Sequence, residues 1–138
     1  MSFTVVHFAD LGKQFRGVLT KSRGKNACCV INSHQPRQVR RWTWAHQLGH
    51  IVEREWVTRR GDEYSFEELA RPREENIHDF FANEFAGALL VPQQHLTDKN
   101  GKWFSTKEIS DVFDVSLAIA EWRLNMAKKR ASFEIQGK

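Results

Sequence analysis

Trp42-Thr43-Trp44-Ala45-His46-Gln47-Leu48-Gly49-His50-Ile51-Val52 is the stretch on which the reading of this chain turns. Its apolar residues recur at helical spacing, and two histidines four apart on a helix lie one above the other on the same face. Both imidazoles can then reach a single metal ion. A His-x-x-x-His pair by itself is weak evidence, because most such pairs are surface or core histidines. A second block further along, Asp79-Phe80-Phe81-Ala82-Asn83-Glu84-Phe85-Ala86-Gly87-Ala88-Leu89-Leu90-Val91-Pro92, brings a carboxylate that can serve as a third ligand.

In the zincin pattern the residue after the first histidine is a glutamate, which takes a proton from zinc-bound water and returns it to the leaving amine. Here that position is Gln47. Gly49 is expected to keep clear the space beside the metal, where a side chain would obstruct a cleft. Taken together, the two blocks resemble the ImmA/IrrE family of metallopeptidases, whose members carry Ala-His-Glu-Leu-Gly-His followed by Glu-x-x-Ala-Asn-x-Phe-Ala-x-x-Leu-Leu-x-Pro. The resemblance runs from about Phe15 to Met126 and takes in Val115-Ser116-Leu117-Ala118 near the end.

What the resemblance implies is specific. His46 and His50 become ligands of one zinc ion, and Asp79, three residues before Ala82, becomes the acidic third ligand, one methylene shorter than the family's usual glutamate. Glu75 and His78 are its rivals for that place. Asn83, one turn after Asp79, could orient a ligand or simply pack its helix. The implied partner is a protein, a helix-turn-helix repressor of a phage or other mobile element, whose cleavage would change transcription.

Glutamine keeps the shape of glutamate but accepts no proton, so hydrolysis should fall by about 10²–10⁴-fold, the share of general acid–base catalysis. Two histories give Gln47: a Glu-to-Gln change introduced to silence the protein, which the otherwise intact motif favours, or a natural member that has lost catalysis. In the second case the chain is a regulatory or toxin–antitoxin module that binds a repressor without cutting it. Tyr64, the sole tyrosine, is a lesser candidate for stabilising an oxyanion. His7, His34 and His95 have no spacing that ties them to the site.

Outward from the motif, the first forty residues alternate and turn. After an alternating stretch at Thr4-Val5-Val6, Phe15 to Thr20 and Ala27 to Asn32 read as two strands joined by the polar turn Lys21 to Asn26. Thr43 is placed to cap the zinc helix, expected over about 43–54. Trp56 to Glu75, rich in charge and holding Gly61 and Pro72, reads as a mobile excursion. Helical spacing of Ile77, Phe81, Phe85, Ala88 and Leu89 predicts a helix over about 75–91, closed by Pro92. Ser105-Thr106-Lys107-Glu108 is a capping-box pattern, and two helices are expected within about 105–127, with a frayed tail from Ala131. Their Ile109, Val112, Phe113, Val115, Ile119 and Leu124 fall at core spacing. Packing, rather than DNA reading through Lys128-Lys129-Arg130, is therefore the role expected of them.

The expected architecture is α+β: one zincin-like domain over 1–138, a small antiparallel sheet packed on the metal-binding helix, and a helical C-terminal half. With 138 residues, 41% of them hydrophobic and 28% charged, the composition is globular and allows one core of ordinary size. A net charge of +4 from 21 basic and 17 acidic residues is too evenly mixed to argue for nucleic acid. Adjacent Cys28 and Cys29 in a strand point to opposite faces and do not bridge. No apolar run is long enough for a membrane span and the first residues lack a signal-peptide pattern, so a cytoplasmic protein is expected.

Overall fold

The computed structural model describes residues 4–71 and 75–136. Met1 to Phe3, Pro72 of the expected excursion, and the last two residues of the expected frayed tail lie outside the described residues. The chain divides into two compact units, Met1–Ala86 and Gly87–Lys138. None of the described helices is long and apolar enough to cross a membrane.

In the first unit four strands form one sheet in the order β1-β3-β2-β4, with β1 Val5–Ala9, β2 Phe15–Lys21, β3 Cys28–Asn32 and β4 Tyr64–Leu69. The predicted hairpin is there, since β2 and β3 pair antiparallel. The sheet as a whole is mixed rather than antiparallel, because β1 pairs parallel with β3, Val5 opposite Cys28 through Ala9 opposite Asn32. Alternation of apolar residues marks a strand but carries no information on its direction or neighbour. Buried Asn32 ties the β1–β2 connection to the end of β3, its amide donating to the carbonyls of Gly12 (2.7 Å) and Phe15 (2.9 Å).

Strand β4 occupies much of what the sequence presents as a loop. Its pairing with β2 sets Leu19 opposite Phe66 and Gly17 opposite Glu68, with a bulge between Phe15 and Gly17. Tyr64, Phe66 and Glu68 take the inner face of the sheet while Ser65 and Glu67 point out and are exposed. The period-two pattern was present, hidden by glutamates on both faces. Cys28 and Cys29 are both free, as their opposite-facing positions require.

Helix α1 spans Arg37–Val52, beginning six residues before the expected start, with Pro36 rather than Thr43 at its entry. A proline's fixed φ suits a helix start, whereas Thr43 is fully buried inside the helix. A π-helical turn, Glu53–Val57, carries the chain on, closed by Thr58 N–H donating to the Glu53 carbonyl at 2.8 Å. Leu19, Ala27, Cys29, Ile31, Ile51 and Tyr64 form the buried core between sheet and helix, with Val6, Trp44, Leu48 and Phe66 packed against it. Helix α2, Ile77–Leu90, stops just before Pro92 as expected.

The second unit has its own core of Val91, Leu96, Ile109, Val115, Ala120, Leu124 and Ala127. Helix α3, Thr106–Phe113, opens on the predicted capping box: Glu108 N–H donates to Ser105 Oγ (3.1 Å) and Ser105 N–H to Glu108 Oε1 (3.2 Å). Val112, expected in the core, is 74% exposed. Helix α4 runs over Leu117–Gln136, well past Ala127 and through most of the tail expected to fray. Ala131 and its neighbours contain neither glycine nor proline until Gly137, so nothing ends the helix earlier.

Candidate metal centre

Two glycines let α1 lie close to both of its neighbours in the first unit. At Gly17 of β2 an added Cβ would meet Thr43 Cγ2 at 2.7 Å and Gln47 Nε2 at 3.3 Å. At Gly49 of α1 it would meet the Ala82 Cα of α2 at 2.7 Å and the Ala82 carbonyl oxygen at 3.0 Å. Gly49 thus makes room for the backbone of α2 rather than for a ligand beside the metal, which corrects its expected role. The close approach carries Asp79, one turn before Ala82, to the face of α1 that bears the two histidines.

There His46 Nε2 and His50 Nε2 stand 3.1 Å apart, and Asp79 Oδ1 lies 3.9 Å from the first and 3.6 Å from the second. Ligand atoms of these three residues all fall within 4.8 Å of one another. Of the rivals, exposed Glu75 accepts from Asn83 Nδ2 at 3.3 Å, and His78 is engaged through Nδ1 by the carboxylate of Glu53. Neither joins the cluster.

The surroundings fix the rings. Asn83 Oδ1 contacts His46 Nδ1 at 2.8 Å, so that nitrogen donates and Nε2 keeps its lone pair toward His50 and Asp79. His50 stacks on Phe66 with centroids 3.9 Å apart and planes 10° off parallel, and the Arg54 guanidinium covers the same phenyl ring at 5.2 Å. Among side chains His50 Nδ1 finds no partner. The Asp79 N–H donates to Asn76 Oδ1 at 2.9 Å, which caps α2 one turn before the cluster.

Burial holds both imidazoles below their usual range. His50 is lowered to about 3, with the neighbouring His46, His78 and Arg54 adding to the effect of burial. His46 is lowered by burial against the opposing pull of Asn83 and Asp79. The approaches of Asp79 to the two rings are therefore contacts of a carboxylate with neutral imidazoles, not ion pairs. Neutral imidazoles are the form that binds a metal.

The donor set suits zinc. Two donors about 2.0–2.2 Å from a tetrahedral ion stand roughly 3.3–3.5 Å apart, and the three separations found here bracket that value. His–His–carboxylate with one position left for water or substrate is also the ligand set of catalytic rather than structural zinc. Asp79 is the exposed member, its side chain 39% accessible, so the open side faces solvent there.

Gln47 is fully buried beside the cluster, and neither atom of its amide has a partner among the described residues. Tyr64 packs in the core with its hydroxyl unpartnered, away from the role considered for it. Three residues near the site escaped the sequence reading. Glu53 follows His50 by three positions on the same helical face and could have been found by that spacing. Glu68 and Arg16 had no such signal, since their placement depends on the register of β2 with β4. Burial pushes the Glu68 carboxyl up to about 8, with Arg16 opposing and Asp79 adding to it.

Among known families, the IrrE N-terminal-like domain (Peptidase_M78) matches residues 4–125. No curated protein matches the chain.

Proposed function

The chain belongs to the ImmA/IrrE family, a zinc metallopeptidase-like domain, and from this premise we propose that it holds one zinc ion at His46, His50 and Asp79 and acts on a helix-turn-helix repressor of a phage or other mobile element. The observation that carries the reading is the convergence of three ligand atoms from α1 and α2 on one point. Bound zinc supplies polarisation of the scissile carbonyl and lowers the pKa of water. The chain supplies the rest. Asn83 turns the free nitrogen of His46 inward, Phe66 fixes the plane of His50, and β4 at the sheet edge offers a backbone along which an extended peptide can add as a strand.

Gln47 keeps a hydrogen-bonding group at the position of the family's glutamate but takes no proton. Hydrolysis is expected to run about 10²–10⁴-fold below that of a chain with glutamate there. The same residue favours a second reading, a regulatory or toxin–antitoxin module that holds its repressor without cutting it. Incubating the protein and its Gln47→Glu variant with the regulator encoded nearby separates the two. Slow cleavage by the first and fast cleavage by the second supports the peptidase, while a stable complex and no cleavage by either supports the binding module. A purified protein that takes up no zinc would remove the basis of both.

A further inference from the structure

The inner face of the sheet carries a carboxyl group that the functional reading leaves unused. Glu68 is directly opposite Gly17 in the β2–β4 ladder, and directly opposed residues send their side chains to the same face. Gly17 is the point at which β2 touches α1, against Thr43 and Gln47. Two residues earlier on the same face of β4, Phe66 stacks on His50. Phe66 therefore covers the second histidine, and Glu68, one pleat further on, lies on the same face of the sheet at the level of Gly17, where β2 meets Thr43 and Gln47 of α1.

Glu68 Oε2 is buried with no hydrogen-bond partner among the described residues, as are both amide atoms of Gln47. Buried polar atoms unmatched within a chain call for an external hydrogen-bonding molecule. The bulge at Arg16 falls in β2 beside Gly17, and bulges re-aim side chains next to active sites. The charges acting on Glu68 come from two sides, Arg16 on β2 and Asp79 on α2, and Glu68 in turn acts on Cys29 of β3.

We propose that Glu68 is the proton-transferring carboxyl of this site, so that the hydrolysis the chain retains passes its proton through β4 instead of α1. The proposal rests on the zinc-peptidase reading above. Glu68 takes a proton from a water molecule as the water oxygen bonds to the carbonyl carbon of the scissile amide. It returns that proton to the amide nitrogen as the C–N bond breaks, which leaves a carboxylic acid, an amine and the original carboxylate. Gln47 then orients the water rather than deprotonating it.

The test uses the full chain loaded with Co²⁺, whose visible absorption reports protonation next to the metal. In the unmodified protein the cobalt spectrum should titrate with pH, and Glu68→Gln should displace the inflection by about one pH unit or more, the effect of removing a nearby carboxylate. Glu67→Gln, on the exposed outer face, should leave the titration where it was. Should Glu68→Gln fail to fold, Glu68→Asp keeps the charge, withdraws it by one methylene and should give a smaller displacement. Identical titrations of unmodified protein and whichever Glu68 variant folds would overturn the proposal while leaving the metal site standing. Absence of any cobalt spectrum in the unmodified protein would overturn the metal reading and this inference with it.

Discussion

Asn83 and Glu68 show how much single side chains decide here. Asn83 contacts His46 Nδ1 at 2.8 Å and so selects the tautomer that leaves Nε2 free. Asn83→Ala is expected to weaken zinc binding by about 10–100-fold, as loss of the partners of metal-bound histidines does, in a competition titration against a chelator. Glu68 makes a pH prediction for the metal-free protein. Its carboxyl titrates near 4.5 when exposed and at about 8 when folded, so between these values the folded chain keeps a proton that the unfolded chain releases. Stability contributed by the neutral, buried carboxyl is complete below pH 4.5 and is lost as pH rises through 8. Glu68→Gln removes this dependence, so its melting temperature relative to the unmodified protein should climb across that window and then level. A difference that stays flat from pH 4 to 9 would contradict the assigned burial. His46, His50 and Asp79 were legible in the sequence because their chemistry comes in two short motifs. Glu68 was not, because only the strand register places it opposite Gly17.

At the level of elements, the site depends on how closely α1 can lie to β2 on one side and α2 on the other. Gly49→Ala forces a Cβ toward the Ala82 backbone, whose Cα it would meet at 2.7 Å. The backbone of a helix cannot give way as a flexible side chain would. A loss of about 1–3 kcal/mol in chemical denaturation is expected, together with weaker zinc binding, because α2 carries Asp79 away as it moves. The π-helical turn after α1 contributes a second tie, through the pairing of buried Glu53 with His78 at the start of α2. Glu53→Ala should cost about 1–3 kcal/mol, read from the same denaturation, and reduce zinc affinity more than a change at the exposed Glu63, Glu63→Ala, does. Helix α2 and the capped start of α3 were readable from spacing and capping residues. The early start of α1 and the existence of β4 were not, since charged residues stand at half-buried positions of both, Arg40 and Arg41 in α1 and Glu68 in β4, and interrupt the apolar period.

For the whole molecule, family membership and the α+β class followed from patterns that are local in sequence. The mixed order of the sheet did not, because the parallel pairing of β1 with β3 joins segments whose own sequences say nothing of direction. The division into two compact units likewise reflects packing: each unit has a core of its own, one around the sheet and one among the C-terminal helices. All three proposed ligands belong to the first unit. Zinc that binds only the folded chain adds stability by mass action, about 4 kcal/mol at a thousandfold excess over its dissociation constant. Counting zinc in the purified protein by elemental mass spectrometry, alongside His46→Ala, His50→Ala and Asp79→Ala, tests the central claim most directly. One zinc per chain that is lost in every one of the three variants is the predicted result. No zinc in the unmodified protein, or one zinc kept by all three variants, would contradict it.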